Sequence, residues 1–161
     1  MKQVLCKGIS CSNNCCLEFS GISDRLTPFD SSIHFSDIIL SQDEYDNLIM
    51  HGYQQFVDVS NNKFRAIKTS EDGVCSAFLN GKCQIYDLRP ALCKAYPFYI
   101  DMFAGLCVIN DCEAVPKECN MTNYTEAISS AISAYKNWIY YYERELEKVS
   151  KHEELTVAKN V

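Results

Sequence analysis

Ten cysteines lie in 161 residues, and eight of them fall in two blocks: Cys6, Cys11, Cys15 and Cys16 near the start, then Cys75, Cys83, Cys93 and Cys112 past the middle. Thiolates ligate zinc and iron–sulfur centres, and activated thiols do redox chemistry. Ahead of Cys6 only Val4 and Leu5 form an apolar pair, far short of the apolar stretch of a secretory signal. The expectation is therefore a reducing cytosol, where so many thiols serve metal binding, redox chemistry or both.

The first block sits among Gly, Ser and Asn, a composition that lets a loop wrap a site and turn its sulfurs inward. Neither block holds a lone cysteine of the catalytic kind. No Cys-x-x-Cys hook occurs, and the adjacent pair Cys15–Cys16 fits poorly as two ligands of one tetrahedral ion. The pair is easier to place around a polynuclear centre, and an iron–sulfur cluster takes four thiolates at varied spacings. Iron–sulfur is the leading reading, zinc is the alternative, and disulfides or free thiols are the remaining one. A radical S-adenosylmethionine motif is excluded: Cys11-x3-Cys15 supplies its first two ligands, but position 18 is Glu18.

Other chemistry is thinner. Arg89, in Asp87-Leu88-Arg89-Pro90, offers a planar fork to a carboxylate or phosphate, or pins a turn by bonding backbone carbonyls. Tyr86 and Tyr96 can donate a phenol proton to a cluster sulfur or a substrate, or sit in the core with a satisfied hydroxyl. His34, His51 and His152 lack the pairing that a zinc or nucleophilic site needs.

At these residues the chain resembles the YkgJ-type zinc- or iron-chelating cysteine-cluster proteins. The resemblance covers roughly residues 6 to 112. It rests on the N-terminal group ending in Cys15–Cys16, on Cys75-x-x-Phe78-Leu79 leading to Cys83-x-Ile85-Tyr86, and on Arg89-Pro90-x-x-Cys93-x-x-Tyr96-Pro97-Phe98. It implies a metal-ligand set of Cys6, Cys11, Cys15, Cys16, Cys75, Cys83, Cys93 and Cys112, with Cys107 and Cys119 as extras. Flagellin lysine N-methylases contain a similar cysteine region, although this chain shows no separate methyl-donor module. Three roles follow as expectations: an iron–sulfur enzyme acting on a small-molecule substrate, a metal-binding or electron-transfer module serving a protein partner, or a zinc-stapled interaction domain.

The elements that must position the thiols are partly readable. Ser41-Gln42-Asp43-Glu44 has the form of a capping box, and the helix it starts should bury Tyr45, Leu48 and Ile49 and stop near Gly52. Phe56 to Val59 and Phe64 to Lys68, joined through Ser60–Lys63, read as a hairpin; a second runs from Phe98 to Ile109 around Ala104–Gly105. Tyr124, Ile128, Ala131, Tyr135, Trp138, Tyr142 and Val149 mark one long amphipathic helix from about residue 122 to about 150 with a frayed tail, its aromatic stripe packed on the core.

Composition bounds the rest. A 47% hydrophobic chain of this length can build one core without disulfides, so residues 1–161 are expected to form a single small α+β domain of metal-binding loops clamped by hairpins and helices. A net charge of -6 with scattered basic residues argues against nucleic acid. No run of roughly 18 apolar residues argues for a membrane span.

Overall fold

The structure, a computed structural model, describes residues 16, 37–59, 64–70, 73–109, 112 and 124–159, with side chains on the last helix described through residue 151. Helix α1 (Gln42–Met50) starts as its capping box dictates. Ser41 Oγ accepts from the Glu44 amide at 3.2 Å, and Glu44 Oε2 accepts from the Ser41 amide at 2.8 Å. It ends at His51–Gly52, where Gly52 takes φ +79° and donates to the Ile49 carbonyl. Leu48 is fully buried, while Tyr45 and Ile49 are half-buried and Tyr45 lies under the Arg65 guanidinium.

A three-stranded antiparallel sheet lies beside α1. Its centre is β3 (Ala66–Ile67), flanked by β1 (Ile38–Ile39) and β2 (Val57–Asp58), with Val57 opposite Ile67 and Ile38 opposite Ile67 on the other edge. The β2–β3 pair is the first expected hairpin; its turn, Ser60–Lys63, lies outside the described residues. β1 was not expected. Its residues are buried in succession, and such a short continuous apolar run carries no periodicity to identify it.

Two further hairpins follow. β4 (Phe78–Leu79) and β5 (Lys82–Cys83) are joined by Asn80–Gly81, both at positive φ (50° and 73°), the geometry of a tight two-residue turn. β6 (Phe98–Asp101) and β7 (Gly105–Val108) form the second expected hairpin. Asp101 Oδ1 accepts from the Phe103 and Ala104 amides at 2.8 and 2.7 Å, and Gly105 takes φ +76°. Between the hairpins, after Arg89–Pro90, runs the unexpected short helix α2 (Ala91–Ala95).

The long helix α3 spans Thr125–Lys159, ending about ten residues later than the periodicity places it; 122 and 123 lie outside the described residues. Its buried face is Tyr124, Ala127, Ile128, Ala131, Ala134 and Tyr141. Of the aromatic stripe, Tyr135 and Trp138 are half-buried, and Tyr142 and Val149 are exposed at 41% and 57%. The reason is steric: α2 comes in against the small alanines, with Ala95 fully buried in the same cluster, and this close approach turns the bulky rings to the flank.

Glu44 joins the pieces. Beyond the cap, its Oε1 accepts from the Ala91 amide at the start of α2 at 2.6 Å, and its Oε2 accepts from Asn137 of α3 at 3.1 Å. One carboxylate thus ties α1, α2 and α3. This observed α+β arrangement of short antiparallel pairs, short helices and one long C-terminal helix is the architecture expected from the sequence.

Candidate metal centre

Four cysteines from four chain segments come together beside the sheet. Cys16 is half-buried, and its carbonyl accepts from the Cys75 amide at 2.9 Å. Cys75 is buried at a bridge to Thr69, held by a turn in which Ser70 accepts from Gly73 and donates to Val74. Cys83 ends β5 opposite Phe78, brought back by the Asn80–Gly81 turn and by Gln84 donating to the Ala77 carbonyl at 2.8 Å. Cys93 lies in the middle of α2. All four sit in or against one apolar cluster built on Leu48, Ile67, Ala77 and Ile85.

Their electrostatics show the proximity. Burial pushes the Cys75 thiol up to about 11 from an ordinary 9.0, and the charges of Cys16 and Cys83 push it the same way. The backbone N–H groups of Ala77 and Phe78 donate to its sulfur and pull against that rise. Cys93 is driven upward by burial, then by Cys75, Cys16 and Cys83, and is opposed by Arg89. Buried thiols that resist ionisation, as Cys75 and Cys93 do beside Cys16 and Cys83, belong to a donor set that a cation would compensate: metal replaces the protons and removes the mutual repulsion. Amide N–H groups aimed at a sulfur stabilise the thiolate form that a metal requires. Among the described residues, no group of three or more Cys, His, Asp or Glu side chains is already closed to the spacing of ligands on one ion.

The remaining candidates fall in other places. Cys6, Cys11 and Cys15 lie outside the described residues, as do Cys119 and His34. Cys112 is buried just past β7, its amide donating to Ile109 at 3.3 Å. Cys107 is half-buried on β7 opposite Tyr99; burial, then the hydrogen bond with Cys107, raises that phenol. Arg89 Nε donates to the Tyr86 carbonyl at 3.0 Å, and its guanidinium carbon stands 3.8 Å over the Tyr86 ring. It thereby pins the turn while keeping its charge within reach of Cys93. Tyr96 is half-buried at the end of α2, where its amide donates to Leu92. His51 caps α1 through Nδ1 and the Asn47 carbonyl at 2.8 Å.

Sequence reasoning missed the backbone donors of Ala77 and Phe78. The signal was available: a cysteine at the head of a turn directs the amides two and three residues on toward its own sulfur, and Asn80–Gly81 announces the hairpin that fixes that turn.

A family model named for the pattern CxxCxxCC, described as "Putative zinc- or iron-chelating domain", matches residues 5–120, which takes in both cysteine blocks. The chain belongs to this family, and metal binding is its coarse function. No curated protein and no solved structure matches the chain. Among the described residues no helix is long and apolar enough to cross a membrane.

Proposed function

We propose that the protein is an iron–sulfur protein whose cluster is held by Cys16, Cys75, Cys83 and Cys93. The observation that carries this reading is the mutual coupling of these four thiols, drawn from four segments into one apolar surround. Four thiolates match the donor number of a [4Fe–4S] or [2Fe–2S] cluster. Iron–sulfur is favoured over zinc by the Cys15–Cys16 pair, which a single tetrahedral ion accommodates poorly, and by a family-like set of eight thiols, twice what one ion uses. Cys6, Cys11, Cys15 and Cys112 then serve a second site or complete the first.

When bound, the cluster supplies one-electron transfer or, through an incompletely ligated iron, a site for a small-molecule substrate. Arg89 lends positive charge beside Cys93, Tyr86 holds Arg89 in place, and Tyr96 closes the helix that carries Cys93. The partner that exchanges electrons, or the substrate, meets the protein in a reducing cytosol. The second reading is zinc in the same four thiols, stapling the fold for an interaction role, since four thiolates also complete a structural zinc site.

The test is metal and sulfide analysis of protein purified without oxygen. Brown protein with iron and acid-labile sulfide is expected. Colourless protein holding stoichiometric zinc, and gaining no cluster on reconstitution, would overturn the iron–sulfur reading in favour of the second.

A further inference from the structure

Helix α3 carries a second apolar face, separate from the one buried on the domain. Ile132, Tyr135, Ile139, Tyr142, Leu146 and Val149 recur at alternating steps of three and four, the spacing of a helix-pairing seam. Ile132 and Ile139 are each 43% exposed, Leu146 is 68% exposed and Val149 57%. Tyr142 stacks on Trp138 with ring centroids 6.3 Å apart, which sets that ring along the seam. The core face of Ala127, Ala131, Ala134 and Tyr141 lies to one side, so this stripe is not the one that α2 and β6 cover. A monomer has no use for a row of large apolar side chains along a protruding helix.

The residues beside the seam say what fits there. Lys136 and Glu143 are exposed and flank it on the same side, one turn either side of Tyr140. Laid antiparallel, two copies of α3 place Ile132 against Val149 of the other copy, Ile139 against its Tyr142, and Leu146 against its Tyr135. In that register Lys136 comes beside Glu143 of the other copy, and twofold symmetry repeats the pair. A parallel pairing instead sets Lys136 near Ala131, Glu143 near Trp138 and Glu145 near Ser150, with no opposite charges matched. Flanking charges of this kind select partner and orientation, and a patch that complements itself makes a closed twofold dimer.

We propose that α3 pairs antiparallel with α3 of a second copy of this chain through the Ile132–Val149 seam. The projecting C-terminal half of each helix then runs along the packed half of the other. The inference is independent of the metal reading.

The experiment is sedimentation equilibrium on the full chain, purified without oxygen, at micromolar concentration. A dimer is expected, weakened by added salt. Ile139→Glu with Leu146→Glu should give a monomer whose helix content and metal content match the parent. Lys136→Glu alone, or Glu143→Lys alone, should weaken pairing on the order of tenfold by turning two attractions into repulsions. Combining both changes in one chain, or mixing the two single variants, should restore it. A monomeric parent would overturn the proposal and leave the face to a partner of another sequence. So would a dimer indifferent to the apolar double variant, or charge reversals that the mixed variants fail to rescue.

Discussion

Cys75 concentrates the physical case at the scale of single residues. It is buried, electrostatically coupled to Cys16 and Cys83, and yet supplied with two amide donors that favour its ionised form. Those donors have a clear purpose once a cation shares the site. Serine at Cys75 or Cys93 should therefore abolish most metal binding, measured as metal per chain after anaerobic purification. Cys107→Ser should leave it unchanged, since Cys107 lies on β7 and bonds Tyr99. The metal-free protein carries a pH signature of the same thiols. With the folded pKa of Cys75 raised, the folded state holds its proton while the unfolded chain loses it. Its contribution is thus complete below about pH 9 and lost as pH rises through about 11. The urea midpoint of metal-free, reduced protein should fall across that window; a midpoint that rises would contradict the burial of the thiol.

Among the elements, the short pieces are positioned by a few side chains rather than by length. The Glu44 carboxylate accepts three charge-assisted hydrogen bonds, from the Ser41 and Ala91 amides and the Asn137 side chain, and so joins three helices. Glu44→Ala should cost about 1–3 kcal/mol in chemical denaturation, and Glu44→Gln less, because the amide keeps one accepting oxygen. What was legible in the sequence follows the same division. The Ser41–Glu44 cap and the 57–67 and 98–108 hairpins were readable because their signals are local: a cap residue three before its carboxylate, polar turns between apolar runs. β1 and α2 were not, being two and five residues long, too short for any period to emerge. On α3 the eye follows the aromatic residues, whereas the buried face is set by alanines that permit close approach of α2.

At the scale of the whole molecule, the described residues form two apolar clusters that meet at α2. One surrounds the thiols with α1, the sheet and Ile85; the other joins Ala95, Phe98, Tyr124 and the first turns of α3. Cys93 and Ala95 lie on the same five-residue helix, so a metal held at Cys93, as proposed, would be anchored directly to the scaffold. Metal removal should therefore act unevenly. Structural thiolate sites contribute folding free energy on the order of 10 kcal/mol, comparable with the net stability of a whole domain. Hydrogen exchange after chelation should rise most in residues 64–70 and 73–88 and least in 124–141; uniform exchange throughout would contradict the two-cluster picture. The grouping of Cys16 with Cys75, Cys83 and Cys93 was not readable from spacing, because it depends on a contact between segments some sixty residues apart, in which the Cys75 amide donates to the Cys16 carbonyl.

The central claim is that cysteine sulfur holds an iron–sulfur centre here. X-ray absorption at the metal edge of the anaerobically purified protein tests it most directly. The account predicts iron with a first shell of sulfur alone, at about 2.3 Å as for metal–thiolate bonds, and a second shell of iron. A first shell of nitrogen or oxygen would contradict thiolate ligation, and a lone zinc without a metal neighbour would contradict the cluster.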